Sequence, residues 1–437
     1  MKKTRILAVS MLSVTLLAGC VANGSEHTQN SNVDIEGNVS SEKDTIEVER
    51  VTKWSEDIEL LSSELKRVHK DLYKDISEIS FDAEIELLQN RVSYLNDDEL
   101  ILEIMRLIAR IGDGHTYLEW YNNFNERGLP IKFARIEDEI YCVNATEEYG
   151  DLLFKRIIAI EGEEIESVYS DLMELVPAEN DYWREVNALG LLRRPMFFNA
   201  LKLTDNDDYT SLTYDEDGLE KHVEIKNMVK GETEPQVYVF EERINNVVSN
   251  IDMLDSENYW YEHDIKNKIL KINFDRCANI KDYNFRQFND DVWNYINTKD
   301  IEKVVVDMRY NMGGMSSVFD PFRSGLLKNK EYNDPNKLFV LVGNRTFSSG
   351  VASAAITKRW TNATLVGEPT GGKPNSYGDG VRIELPNSGV IISCSSNYYE
   401  FYPGYGKNTL IPDVIINRTI NDYKASNDPV YQFVVEK

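Results

Sequence analysis

The chain has 437 residues, 42% hydrophobic and 28% charged, so it can bury two or three domain cores and is not a disordered polymer. A formal net charge of −26 repels phosphate and argues against nucleic-acid binding. The acidic residues are spread along the chain, which reads as solubility and not as a dedicated partner surface.

The first twenty residues stand apart. Lys2, Lys3 and Arg5 precede an apolar run, Ile6 to Leu17, too short and wrongly flanked for a membrane span. The run ends in Leu17-Ala18-Gly19-Cys20, which looks like a bacterial lipobox. The expectation is cleavage before Cys20, acylation of its thiol, and a body tethered by lipid outside the cytoplasmic membrane. Residues 21–49 are rich in Ser, Asn, Glu, Asp and Thr and read as a flexible tether. With Cys20 acylated, only Cys142, Cys277 and Cys394 remain, which excludes a disulfide framework and any CxxC pair.

From Val51 to about Arg110 the period is helical. Trp54, Ile58, Leu61, Leu65 and Val68 share one face; Ile101, Ile104, Met105 and Ile108 share another. Acidic starts at Phe81-Asp82-Ala83-Glu84 and Asn96-Asp97-Asp98-Glu99 predict two further helices. The next loop, Ile111-Gly112-Asp113-Gly114-His115-Thr116, sets a histidine among turn residues, where it is a candidate general base.

Strands are predicted over Leu129–Phe133 and Ile140–Val143. The run Tyr149–Ile165, a strand entering a Glu-Gly turn and then a helix, looks like a PDZ-type segment. From about Asn267 the chain alternates buried strands with helices: Ile269–Phe274, a helix through Trp293, Val304–Met308, Leu338–Val342, a helix beginning near Ser348, and Ala363–Gly367. That rhythm predicts a mostly parallel sheet covered by helices, with its chemistry at the carboxyl ends of the strands.

Three strand-to-loop junctions sit at such ends. In Asp307-Met308-Arg309-Tyr310-Asn311-Met312-Gly313-Gly314, the paired glycines let backbone N–H groups approach a ligand as an oxyanion hole. In Thr346-Phe347-Ser348-Ser349-Gly350, a serine at a helix start is either a cap or a nucleophile favoured by the helix dipole. The G-x-S-x-G elbow of alpha/beta-hydrolases is absent, which disfavours that class. In Gly367-Glu368-Pro369-Thr370-Gly371-Gly372-Lys373-Pro374, proline replaces the Mg²⁺-binding hydroxyl of a phosphate loop, and Lys373 is instead a candidate desolvated base. No metal-ligand spacing such as HExxH occurs.

In order and spacing these motifs resemble the C-terminal-processing (tail-specific) serine peptidase family over about residues 51–437: a D-x-H-T loop, a PDZ-like segment, D-x-R-x-N-x-G-G, T-x-S-S-G, V-G-E-x-T-x-G-K, and a late Pro412-Asp413-Val414 strand. The resemblance implies a mixed α/β chain in five parts. These are a lipoprotein signal peptide (1–19), a lipidated tether (20–50), a helical segment (51–127), a PDZ-like domain (128–235) and a ββα-type, crotonase-like catalytic core (236–437) with a mostly parallel sheet. It implies Ser349 as nucleophile and Gly313 or Gly314 with Gly350 as oxyanion donors. One branch takes its base from a lysine matching Lys373. The tricorn-like, retinoid-binding-protein-like branch takes it from a histidine matching His115, and the D-G-H-T loop favours that branch. There the histidine is oriented by a preceding serine, where this chain has Gly114, and by a late glutamate, for which Glu400 is the best-placed residue. The expected activity is hydrolysis of polypeptides through an acyl-enzyme, with no cofactor and no metal, and the PDZ-like segment capturing a substrate tail by strand addition. The alternative is a catalytically silent binding lipoprotein on the same fold.

Overall fold

The computed structural model describes residues 36–122, 127–229, 247–250 and 258–437. The leader, Cys20 and the first part of the expected tether lie outside the described residues. Residues 36–50 of that tether are helical: one helix runs Glu36–Val68. Glu49 pairs with Lys53 one turn on, at 2.7 Å. Among the described residues no helix is long and apolar enough to cross a membrane.

Trp54, Ile58, Leu61 and Leu65 form the buried stripe of that helix. The next helix, Glu78–Arg91, starts earlier than its acidic residues suggest, because the Ser77 hydroxyl accepts from the Ser80 N–H. The third, Asp97–Ala109, opens on a reciprocal capping box between Asn96 and Glu99. The middle of the chain holds an antiparallel hairpin, Ile131–Ile136 with Glu139–Ala145, and a four-stranded sheet of Ile157–Ile160, Glu163–Glu164, Tyr209–Glu216 and Leu219–Lys226. Helices Ile165–Met173, Asp181–Leu191 and Pro195–Ala200 lie between those strands in sequence.

The second half is built on seven strands in the order Val247–Ser249, Tyr259–Asp264, Ile269–Phe274, Lys303–Asp307, Leu338–Val342, Thr364–Gly367 and Val414–Ile415. The first three pair antiparallel; from Ile269–Phe274 onward every pairing is parallel. Ile269–Phe274 and Leu338–Val342 are buried at every position, as strands covered on both faces must be.

A long hairpin that the sequence pattern does not announce, Asn375–Glu384 with Ile391–Glu400, leaves this half. Its second strand pairs with Tyr117–Leu118, immediately after the His115 loop. Ile383, Ile392 and Cys394 of the hairpin thereby join the core of the N-terminal helices and the middle sheet. That pairing carries a loop near residue 115 to the carboxyl ends of strands two hundred residues later. Cys142, Cys277 and Cys394 are buried free thiols.

Candidate active site

The strand Leu338–Val342 leads through Gly343–Phe347 to the helix Ser349–Trp360. Thr346 pins this turn: its hydroxyl donates to the Met308 carbonyl (2.9 Å) and accepts from the Gly343 N–H (3.0 Å), and its carbonyl accepts from the Gly372 N–H (3.0 Å). The Phe347 N–H donates to the Asn311 carbonyl at 2.9 Å. Held at both sides, Ser348 takes φ 51° and ψ −127°, a conformation L-residues rarely adopt. Such strain persists only where the surroundings enforce it, and it clusters at reactive groups. The Ser348 side chain makes no capping bond to the helix that follows.

The Ser348 hydroxyl stands 2.9 Å from His115 Nε2. The sequence expectation named Ser349 as nucleophile; the serine facing the histidine is its neighbour. The Ser349 hydroxyl donates to the Gly314 carbonyl at 2.7 Å, pointed at the glycine turn and away from His115. A strained turn at Ser348 sends adjacent side chains in different directions, which no one-dimensional motif encodes. The Lys373 amino group makes no hydrogen bond or ion pair with any described residue, so the structure does not bring it to either serine. Glu400 is exposed at the far end of the hairpin, paired in register with Asn375.

The glycine turn packs against the same serine. At Gly313, φ is 106°, and a Cβ there would stand 2.6 Å from Ser348 Cβ. At Gly350 a Cβ would fall 2.3 Å from the Asn311 carbonyl oxygen. Both positions therefore require glycine. Of the expected oxyanion donors, the Gly313 N–H is bound to Asn311 Oδ1 (2.9 Å) and the Gly350 N–H to the Phe347 carbonyl (2.9 Å). The N–H groups of Gly314 and Ser349 have no acceptor among the described residues. Ser349 opens a twelve-residue helix, whose dipole favours negative charge at that end.

His115 is seated from behind by Asp113. The Asp113 carboxylate accepts the His115 N–H (3.0 Å) and the Thr116 hydroxyl (2.6 Å), and its Oδ2 lies 3.2 Å from His69 Nε2. Because the Asp71 N–H donates to His69 Nδ1, His69 carries its proton on Nε2 and donates to Asp113. Burial alone would raise the Asp113 pKa; the donors of His69, Ser395 and Thr116, with the charge of His115, outweigh it and hold the carboxyl at about 2. Burial pushes the His115 pKa down, against the opposing charges of Asp113 and Asp379. The imidazole is therefore kept neutral and able to accept a proton near pH 7.

An aromatic stack fixes the ring plane. Phe347 lies over His115 with centroids 4.6 Å apart, and Trp183 lies over Phe347 at 3.9 Å and 7°. Trp183 comes from the helix Asp181–Leu191, whose N-cap residue Asn180 donates to the carbonyls of Gly371 (2.7 Å) and Asn408 (2.8 Å). Just before it, Glu179 turns a buried carboxylate toward the histidine loop. One ligand atom each of Asp113, His115 and Glu179 lie within 4.8 Å of one another. That donor set has the chemistry to hold a metal, but the Asp113 oxygens are already committed to the loop. Sequence reasoning missed the whole segment 178–183, which belongs to no motif; its one signal is a Trp beside a helix-capping Asn.

A cavity of about 480 Å³ opens beside the two core loops, lined by Arg309, Tyr310, Asn344 and Arg345 together with Phe133 and Arg135 of the hairpin. Ser348 and His115 are not among its walls. Met312 and Met315, on either side of the glycine pair, are exposed.

No protein-family model and no curated protein sequence matches this chain. Solved structures do. A structure of mature CPAF complexed with lactacystin superposes with a TM-score of 0.63 at 12% identity, covering 89% of this chain and 97% of that one. A second structure of mature CPAF gives a TM-score of 0.61 at 12% identity, over 89% and 96%. A photosystem II D1 C-terminal processing protease gives 0.39 at 12% identity, over 83% and 93%. The chain thus shares the CPAF fold, a mixed α/β architecture with a mostly parallel sheet.

Proposed function

We propose that this chain is a serine-type peptidase of the C-terminal-processing kind, with Ser348 as nucleophile and His115 as general base. The observation that carries the reading is the 2.9 Å approach of His115 Nε2 to a serine held in a strained strand-to-helix turn. The shared fold with CPAF supports it.

Ser348 Oγ attacks a peptide carbonyl carbon while its proton passes to His115 Nε2. The carbonyl oxygen takes up negative charge, and the free N–H groups of Gly314 and Ser349 are the donors that receive it. The C–N bond then breaks, His115 returns the proton to the leaving amine, and an ester to Ser348 remains. Water, activated by the same imidazole, releases the acyl group. The exposed Met312 and Met315 give apolar surface to the substrate beside the glycine pair. The strand Leu219–Lys226, an edge of the middle sheet, suits capture of an extended tail by strand addition in a PDZ-like domain. The second half serves as a crotonase-like core, and Cys20 anchors the protein by lipid outside the cytoplasmic membrane.

Hydrolysis of an unfolded polypeptide by the purified soluble chain tests this. Cleavage that disappears in both Ser348→Ala and His115→Ala is expected; cleavage that survives either substitution overturns the assignment. For the anchor, palmitate incorporated by the wild type and absent from Cys20→Ser is expected, and label retained in the variant contradicts it.

A further inference from the structure

Two buried polar groups beside the serine–histidine pair lack partners. His115 Nδ1 has no hydrogen bond, and neither do both oxygens of Glu179. In a region sealed from water each costs free energy unless it is matched. If His115 Nε2 is to take the serine proton, Nδ1 must carry the other ring proton, and that proton needs an acceptor.

Asp113 is the first alternative acceptor. Its Oδ1 stands 3.9 Å from Nδ1, but its oxygens already serve the His115 N–H, Thr116 and His69. Asp379 acts on His115 only through its charge, and its carboxylate is held by Asn397 at 2.6 Å and by Tyr399. Glu179 makes no hydrogen bond to the ring in this conformation, but its carboxylate lies within 4.8 Å of His115. Neither oxygen has a partner of full hydrogen-bond geometry, and only the nearby Gly114 and Glu179 N–H groups act on it, so a small rotation of the side chain brings it to Nδ1. Glu179 also explains Gly114: a Cβ there would stand 2.9 Å from Glu179 Oε2 and 3.1 Å from the Phe347 ring, so any side chain before the histidine would displace this carboxylate.

We propose that Glu179 is the acidic positioning residue of His115, accepting its Nδ1–H as Nε2 takes the proton of Ser348. The inference rests on the Ser348–His115 reading above. In the step, the Oγ–H bond breaks as the Nε2–H bond forms; the Nδ1 proton stays on the ring, and the new imidazolium charge is matched by the Glu179 carboxylate. The acid thus comes from the segment 178–183, which also supplies Trp183 to the aromatic stack and ties itself to the core through Asn180. Removal of that segment from the core would unseat ring and acid together.

The charged groups facing this pair are Asp113 and Asp379 on the histidine side and Asp113 and Lys74 on the Glu179 side. Burial, then the charge of Asp113, raise the Glu179 carboxyl to about 7. Acylation is therefore expected to rise with pH through neutrality, with apparent values that belong to the coupled pair.

The test is the pH dependence of fluorophosphonate labelling in wild type, Ser348→Ala, Glu179→Gln and Glu179→Asp, all confirmed folded by thermal melt. Loss of labelling by about 10²-fold or more in Glu179→Gln, with the limb near neutrality abolished and partial recovery in Glu179→Asp, is expected. Wild-type rate and limb in Glu179→Gln overturn the proposal while leaving Ser348 as nucleophile. Undiminished labelling in Ser348→Ala overturns the underlying reading, and the proposal with it. Should Glu179→Gln fail to fold, the histidine Nδ1 proton in the wild type decides by NMR. A downfield resonance titrating near pH 7 is expected, and an Nδ1 signal indifferent to pH between 5 and 9 contradicts a carboxylate partner.

Discussion

His69 and Asp113 form a buried pair, Nε2 to Oδ2 at 3.2 Å, with both side chains sealed from solvent behind the histidine that faces Ser348. Asp113 is thus the anchor of the His115 loop and not its proton acceptor. Asp113→Asn leaves His69 without its charged acceptor and should cost about 2–4 kcal/mol of stability, read from denaturant melts. The folded pKa lies below the unfolded one, so the stabilisation is full above about pH 4 and is lost as pH falls toward 2. Wild type and variant melts should converge across that window.

Glu179 has the opposite sign. Its folded pKa, about 7, lies above that of an unfolded glutamate, so the folded state loses stability as pH rises from about 4.5 to 7 and levels off beyond. Glu179→Gln should therefore be more stable than wild type at pH 8, by roughly 1–3 kcal/mol, and no more stable at pH 4. Gain of stability with loss of labelling is the signature of a group kept for chemistry at a cost in folding.

The glycine turn makes a steric prediction. Gly313→Ala places a methyl group 2.6 Å from Ser348 Cβ at φ 106°. Peptidase activity should fall at least about 10²-fold, as when an oxyanion donor is displaced. The thermal melt should fall as well, because Gly313 is buried and an L-residue is strained at that φ. Activity near wild type would remove the turn from the mechanism.

The loop that carries those glycines is tied to the chain terminus by charge. Arg309 donates to Asp307 (2.7 Å) and to Asp428 (2.8 Å), and buried Lys271 adds contacts to Glu262 (3.3 Å) and Asp307 (3.5 Å). Asp428 also caps the last helix, Pro429–Glu436. The nearby Arg309 charge holds the Asp428 carboxyl below its ordinary range against the effect of burial. Asp428→Asn should cost about 3–5 kcal/mol, since it uncovers a buried arginine, and should lower kcat by loosening the glycine turn. A chemical-denaturation midpoint unchanged from wild type contradicts this.

Much of the scaffold could be read from the sequence, because it rests on local patterns. The apolar runs at Ile269–Phe274 and Leu338–Val342 became parallel strands, and the acidic start at Asn96–Glu99 opened a helix. His115 and the paired glycines were visible as turn residues after such elements. The choice between Ser348 and Ser349 was not visible, because both share one motif and the sign of a single φ decides which hydroxyl faces the histidine. The hairpin Asn375–Glu400 was overlooked because its exposed Asp379–Arg382 stretch breaks the alternation expected of a half-buried strand. Glu179 was invisible for another reason: a buried, unpartnered carboxylate is defined by what surrounds it, and its neighbours lie at positions 113–115 and 347.

The central claim is that Ser348, not Ser349, is the nucleophile. Its most direct test is peptide mapping by mass spectrometry of the chain after reaction with a fluorophosphonate. One adduct is expected, on Ser348, absent in Ser348→Ala and His115→Ala and retained in Ser349→Ala. An adduct on Ser349, or no adduct between pH 5 and 9, would contradict it, the latter in favour of a silent binding protein on this fold.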